Sequence, residues 1–287
     1  MNMVGIIQGR LSPPLHNKIQ AFPIGTWDKE FYIAKECGFD GMELVIDSYK
    51  WEENPIWSDA GCERINEISQ KSGIEIISVD PLYLTERGLI SNNSEICEER
   101  LNFMEKIIPN CKKLNMQYIL MPIVIHPDIE IITKLKSKEN RPFLLDFLRQ
   151  SLEIAEDFGL KLALETALNA QEIIDLIEDL NSSSIVVCYD TGNSAYFGHD
   201  ILTDVEKLSE FLVEVHIKDH KNTDDDGVPI NYYNSVEVGT GDVDFPSVFE
   251  TLKKINFNGS YILQMARGDD HIKVAKSTLE FVKNYIN

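Results

Sequence analysis

The sequence predicts a single-domain α/β protein, a (β/α)8 TIM barrel over residues 1–287. Three observations carry this. Apolar runs end in single polar residues: L-A-L-E in Glu165, I-V-V-C-Y-D in Asp190, and V-E-V-H-I-K with His216 near its end. These three residues are 25 and 26 positions apart, one strand-plus-helix unit each. The length of 287 residues suits a fold that typically takes about 250, with loop insertions.

The elements follow in order. Residues 4–8 read as the first strand, with Ile6, Gln8 and Arg10 on one face, so that Gln8 and Arg10 stand at its exit. Ser12-Pro13-Pro14 and Phe22-Pro23 loop over that end. Asp28 can cap a helix through about Cys37, which Gly38 stops. Residues 41–46 form the second strand with Glu43 inward, either paired with Arg10 or another interior charge, or touching substrate. Residues 51–57 read as a loop with an aromatic pair that lines the mouth or covers the rim.

A helix then runs to Lys71 and ends at Gly73. Residues 75–79 are the third strand, closed by Asp80-Pro81. The helix over 95–114 should be disturbed near Pro109. Residues 117–121 are the fourth strand, closed by Pro122. His126 lies in the next loop, as polar surface or as a site residue. The helix over 141–158 stops at Gly159, and the fifth strand delivers Glu165.

The helix over 171–180 and the turn 181–184 precede the sixth strand and Asp190. The next helix closes over 206–211. In the seventh strand Glu214, His216 and Lys218 share one face, and Val213, Val215 and Ile217 the other. Surrounding helices require the apolar face outward, so the polar three point into the barrel. A long polar stretch, 219–238, follows over the mouth, as lids and binding loops do. V-G-T-G-D-V-D-F (238–245) contains G-x-G without a third glycine. It reads as the turn into a helix over 246–255 rather than as a dinucleotide fingerprint. Residues 261–265 are the eighth strand with Ile262 and Gln264 inward, Arg267 follows at the rim, and 271–285 is the closing helix.

Composition narrows the function classes. A formal net charge of −20 opposes binding to nucleic acid or an anionic membrane. No run approaches the roughly 18 apolar residues of a membrane span. The first residues lack the basic and apolar regions of a secretion signal. Five dispersed cysteines without C-x-x-C suit buried thiols in a reducing cytoplasm. Cys188, two before Asp190, should face the interior as packing rather than as a nucleophile.

Glu165, Asp190, His216 and Gln264 come from the ends of consecutive strands about 4.8 Å apart, so they can converge on one ion. Three oxygens and an imidazole nitrogen suit a divalent cation: Mn²⁺, Mg²⁺ or Co²⁺, with Zn²⁺ also compatible. The competing expectation is a buried ion-pair network, but acids turned into a barrel are costly without a cation.

The chain resembles the sugar phosphate isomerase/epimerase superfamily, the xylose isomerase-like TIM barrels. The matching pieces are G-F-D-G-M-E-L from Gly38, L-A-L-E, Y-D-T-G-N from Tyr189, V-H-I-K-D from Val215, V-G-T-G-D-V-D-F and N-G-S-Y-I-L-Q from Asn258. They span nearly the whole chain in the family's order. The resemblance implies a metal on a Glu, an Asp, a His and a second Glu, the two glutamates exchanging protons on either side of a cis-enediolate. Glu165, Asp190 and His216 take the first three places. Gln264 takes the fourth, and a neutral amide can ligate but cannot accept a proton.

The expected function is therefore a divalent-metal-dependent isomerase or epimerase acting on a sugar or sugar phosphate, a small-molecule carbohydrate, in carbohydrate metabolism. Glu165 would abstract the α-proton. Lys218 would return one or bind the oxyanion, unless it pairs with Glu214 or Asp219. Arg10, Glu43, Asn193 and Arg267 would hold hydroxyls or a phosphate. Three alternatives remain open: a sugar-acid or polyol dehydratase or lyase on the same site, a degenerate sugar-binding barrel without turnover, and, opposed by the acidic surface, a nuclease. Barrels of this superfamily are often homo-oligomers, but no interface is legible here.

Overall fold

A computed structural model of the chain describes residues 2–15, 18–87, 91, 93–123, 139–224 and 235–286. The eight barrel strands are β1 (Met3–Ile7), β2 (Gly41–Val45), β3 (Glu75–Asp80), β4 (Tyr118–Ile123), β5 (Lys161–Thr166), β6 (Ile185–Asp190), β7 (Leu212–Ile217) and β8 (Ser260–Leu263). All neighbours run parallel, in the order β3-β2-β1-β8-β7-β6-β5-β4. The pairing of β1 with β8 wraps the sheet round. At the seam β3 and β4 lie side by side without a ladder among the described residues, so the barrel is nearly closed.

The helices between them are α1 (Trp27–Cys37), α2 (Asp59–Ser72), α3 (Leu82–Arg87), α4 (Ser94–Lys113), α5 (Arg141–Asp157), α6 (Ala170–Leu180), α7 (Thr191–Tyr196), α8 (Ile201–Lys207), α9 (Phe245–Lys254) and α10 (His271–Ile286). Two apolar regions result. A large one lies between strands and helices; a small one, with Ile7, Val45, Ile77, Leu120, Ala163, Val186 and Ile262, fills the barrel below the site. No described helix is long and apolar enough to cross a membrane. All five cysteines are free thiols.

Several expectations need correcting. Helix α1 starts at Trp27, and Asp28 sits in its first turn, bonded to Arg64 at 2.9 Å, instead of capping it. Helix α4 runs through Pro109 without a break, held by buried Phe103, Ile107, Ile108 and Cys111 on both sides of the proline. Helix α8 already ends at Lys207. Trp51–Glu53 and Pro55–Trp57 are 3-10 turns whose tryptophans pack on Tyr83 and Phe103, covering the rim. A register shift between Val187 and Cys188 turns Val213 to the inner cluster, while Val215 and Ile217 face the helices as expected.

Candidate active site

The site lies where β5, β6, β7 and β8 end. Two-residue periodicity turns Cys188 and Asp190 of β6, and Glu214 and His216 of β7, into the barrel, and the register pairs Asp190 with His216. Asp190 is also the N-cap of α7: its Oδ1 accepts the Asn193 N–H at 2.8 Å. That cap commits one carboxylate oxygen and leaves Oδ2 buried without a hydrogen bond. Glu165, Asp190 and His216 are each at most 4% exposed, and their ligand atoms lie within 4.8 Å of one another. His216 Nδ1 is 3.4 Å from Glu165 Oε1 and also lacks a hydrogen bond.

Lys218 completes this side. Its Nζ donates to Asn193 Oδ1 at 2.8 Å and stands 3.5 Å from Asp190 Oδ2, so it pairs with neither Glu214 nor Asp219. Thr191 Oγ1, bonded to the carbonyls of His216 and Lys218, ties α7 to the end of β7. Gly192 lets the lysine pass: a Cβ there would stand 2.6 Å from Lys218 Cγ. Gln264 is buried one residue beyond β8, its N–H on the Ile217 carbonyl at 3.1 Å. It therefore sits on the strand beside His216, one residue past the Leu263–Ile217 pair.

Below His216 lies a wholly buried polar layer. The ring's Nε2 is 3.1 Å from Glu214 Oε1 and 3.2 Å from Glu43 Oε1. Glu214 Oε2 accepts from Tyr118 at 2.8 Å and lies 3.0 Å from Ser78 Oγ, which is 2.6 Å from Glu43 Oε2. Glu43 thus pairs with His216 and Ser78 rather than with Arg10. Burial, then the charge of Glu214, pushes its carboxyl well above the usual range. Burial also works against the Glu214 carboxylate, but bonds and charge from His216 outweigh it and hold Glu214 low. The same contest, won by Cys188, Glu43 and Glu165, raises His216. Cys188, raised by burial, packs beside this layer as expected.

The other rim residues do different things. Arg267 donates to the carbonyls of Ile19 at 3.1 Å, Ser12 at 2.6 Å and Gly9, so its fork braces the loop after β1. Arg10 also donates to the Ile19 carbonyl; burial and then Arg267 bring its pKa down to about 9, against Glu30, Asp80 and Asp190. Asp80, read from sequence only as a strand terminator, is buried with Oδ1 unpartnered and rises to about 8 through burial and then the Glu165 charge. The signal was present: like Asp190, it is an acid ending an apolar strand. Asp219 organises the G-T-G turn, accepting N–H bonds from His220, Gly239, Gly241 and Val243. His126 and residues 225–234 lie outside the described residues.

The model of the xylose isomerase-like TIM barrel matches residues 31–285. The chain belongs to this family. Among xylose isomerase-like relatives, the L-ribulose-5-phosphate 3-epimerase UlaE of Shigella flexneri serotype 5b is 25% identical over 263 residues, 88% of this chain and 87% of its own. The D-psicose 3-epimerase of Clostridium cellulolyticum H10, solved with D-tagatose, superposes with a TM-score of 0.76 at 18% identity, over 99% of both chains. The 3-keto-D-glucoside 4-epimerase YcjR of E. coli gives 0.73 at 17%, over 99% of this chain and all of its own. At such identities the solved structures establish the shared barrel.

The donors fit a divalent cation. Two buried ligand atoms, His216 Nδ1 and Asp190 Oδ2, make no hydrogen bond and stand beside a second carboxylate, that of Glu165. Buried polar atoms are ordinarily satisfied, so this pair asks for a positively charged partner. Lys218 answers it only partly, from 3.5 Å.

Proposed function

We propose that this protein is a divalent-metal-dependent epimerase or isomerase of a sugar or sugar phosphate. The observation that carries it is the pair of unbonded buried ligand atoms, His216 Nδ1 and Asp190 Oδ2, facing Glu165 at the C-terminal rim. The sugar epimerases among its relatives support the substrate class. Glu165, Asp190 and His216 hold the ion, with the amide oxygen of Gln264 as fourth donor. A divalent cation there supplies the electrophile that acidifies a proton next to a sugar carbonyl.

Glu165 accepts that proton from carbon. Moving a hydrogen between neighbouring carbons needs only this base, because it can give the proton back. Inverting a centre needs a second group, and Gln264 cannot be one. Lys218 would fill the role: anchored by Asn193 and Asp190, its ammonium gives a proton to carbon, and the enzyme is reset when Glu165 releases its captured proton to water and Lys218 takes one up. Asn193 and Arg10 would orient the substrate, whereas Glu43, fully buried beneath His216, would act only through that ring. Arg267 acts on the substrate through the loop it braces.

The test is a panel of ketoses and ketose phosphates incubated with Mn²⁺ in deuterated water. Deuterium should enter at the carbon beside the carbonyl, together with an epimer or isomer. Glu165→Gln should lower both by about 10²–10⁴-fold. If no substrate exchanges a carbon-bound proton, proton-transfer chemistry is wrong.

One observation favours a second reading, a dehydratase on the same centre. Asp80 is buried with Oδ1 unpartnered and burial raises its carboxyl, so it can supply the acid that a leaving hydroxyl needs beside a base. Loss of water from any substrate, rather than an isomeric product, would select it.

A further inference from the structure

The interior layer beneath His216 is tied together more fully than packing requires. Tyr118 from β4 and Ser78 from β3 both reach Glu214 Oε2, at 2.8 and 3.0 Å, and Glu214 Oε1 is left for the ring, 3.1 Å from Nε2. All four side chains are buried, with Ser78, Glu214 and His216 at 0% exposure, so water cannot replace any of these bonds.

We infer that Glu214 is a positioning residue: clamped by Tyr118 and Ser78, it keeps the ring proton of His216 on Nε2 and so makes Nδ1 the nitrogen presented to Glu165 and Asp190. The inference rests on the divalent-cation reading of those three residues and adds to it the choice of ligand atom.

A neutral imidazole carries one N–H, and its other nitrogen is the ligand. Here Nε2 faces carboxylate oxygens of Glu214 and Glu43 at 3.1 and 3.2 Å, while Nδ1 has no hydrogen bond. A proton on Nδ1 alone would leave the Nε2 lone pair pointing at the Glu214 carboxylate. The proton on Nε2 removes that conflict and frees the Nδ1 lone pair. Glu214 is the stronger holder, because its contact to Nε2 meets hydrogen-bond geometry whereas Glu43 Oε1 makes no hydrogen bond. It lies two residues before His216 on the same face of β7, so the strand fixes their spacing, and β3 and β4 fix its rotamer. Partners of this kind orient a metal-bound imidazole and commonly contribute about 10- to 100-fold in metal affinity.

The experiment uses the full chain, labelled with ¹⁵N-histidine and loaded with ¹¹³Cd²⁺, a diamagnetic probe. His216 is assigned by comparison with His216→Asn. In the wild type, cadmium should couple to Nδ1, with a hydrogen-bonded Nε2 proton far downfield. Glu214→Leu should lose that proton signal and bind Cd²⁺ about 10- to 100-fold more weakly. Glu214→Gln keeps an acceptor oxygen and should stay within a few-fold of wild type. Cadmium coupled to Nε2 in the wild type overturns the inference without reference to any variant. So do equal losses in both variants, because packing rather than the acceptor is then what matters. If the wild type takes up no ion, the metal reading fails, and the proton is read in the ion-free protein. A hydrogen-bonded Nε2 proton that disappears in Glu214→Leu supports the positioning role; a ring proton on Nδ1 alone refutes it.

Discussion

Replacing Asp219 by asparagine should undo the turn that borders the site. The carboxylate is buried, and its two oxygens accept four backbone N–H groups. Oδ2 takes Gly239 and Gly241 at 2.9 Å each; Oδ1 takes His220 at 2.9 Å and Val243 at 3.3 Å. Gly241 has no space for a side chain, since a Cβ would run into the Asp219 carboxylate and the His220 carbonyl. A carboxamide keeps one oxygen and turns an NH₂ donor against two N–H donors. Two part-buried donors lose their acceptor, each at about 1 kcal/mol, the low end of the range because water reaches them, or about 2 kcal/mol with the turn kept in place. The turn can instead open to water, which limits the loss in global stability and shows up locally. Urea unfolding should shift to a lower midpoint, and the Gly239 and Gly241 amides should exchange much faster in deuterated water. An Asp219→Asn protein with unchanged midpoint and unchanged protection at both glycines would refute the argument.

Gly192→Ala should cost about 1–3 kcal/mol, because the added methyl meets Lys218 Cγ at 2.6 Å and Lys218 Cβ at 3.0 Å and must push the strand end away. Thermal unfolding measures the cost, and loss of the Lys218–Asn193 contact should lower epimer formation more than solvent exchange at carbon. Burial raises the Glu30 carboxyl from 4.5 to about 7, against N–H bonds from Gly9 and Leu11. Between those values the folded chain binds a proton that the unfolded chain releases. Glu30's contribution is thus fully present below about pH 4.5 and is lost as pH rises through 7, by about 3 kcal/mol at about 1.4 kcal/mol per pH unit. Urea midpoints from pH 4.5 to 7.5 should fall less steeply in Glu30→Gln; parallel curves would contradict this.

Local periodicity made the barrel and the heart of the site legible. Apolar strands ending in Glu165 and Asp190, and the alternation around His216, place polar side chains on the inner face whatever the helices do. Gln264 and Lys218 follow from the same period. What sequence could not supply depends on distant pieces meeting. Arg267 reads as a rim cation, yet its donors close on the Gly9, Ser12 and Ile19 carbonyls, some 250 residues earlier in the chain. Nothing local marks Glu30, in the first turn of α1, yet the loop after β1 folds down on it until it is buried. Val213 is turned inward by a register shift that no local pattern announces. Ser78 and Asp80 were within reach, as polar residues two apart in an apolar strand. The phenol of Tyr118, which reaches Glu214 from another strand, was not.

Metal content tests the central claim most directly. Protein purified without chelator would be analysed for elements beside a Glu165→Gln/Asp190→Asn double variant, each with a melting curve to show that it is folded. A cation centre on Glu165, Asp190 and His216 requires close to one equivalent of divalent metal in the wild type and its loss in the folded double variant. No metal in either, even after addition of Mn²⁺, would contradict it and leave the constellation as a buried ion-pair network.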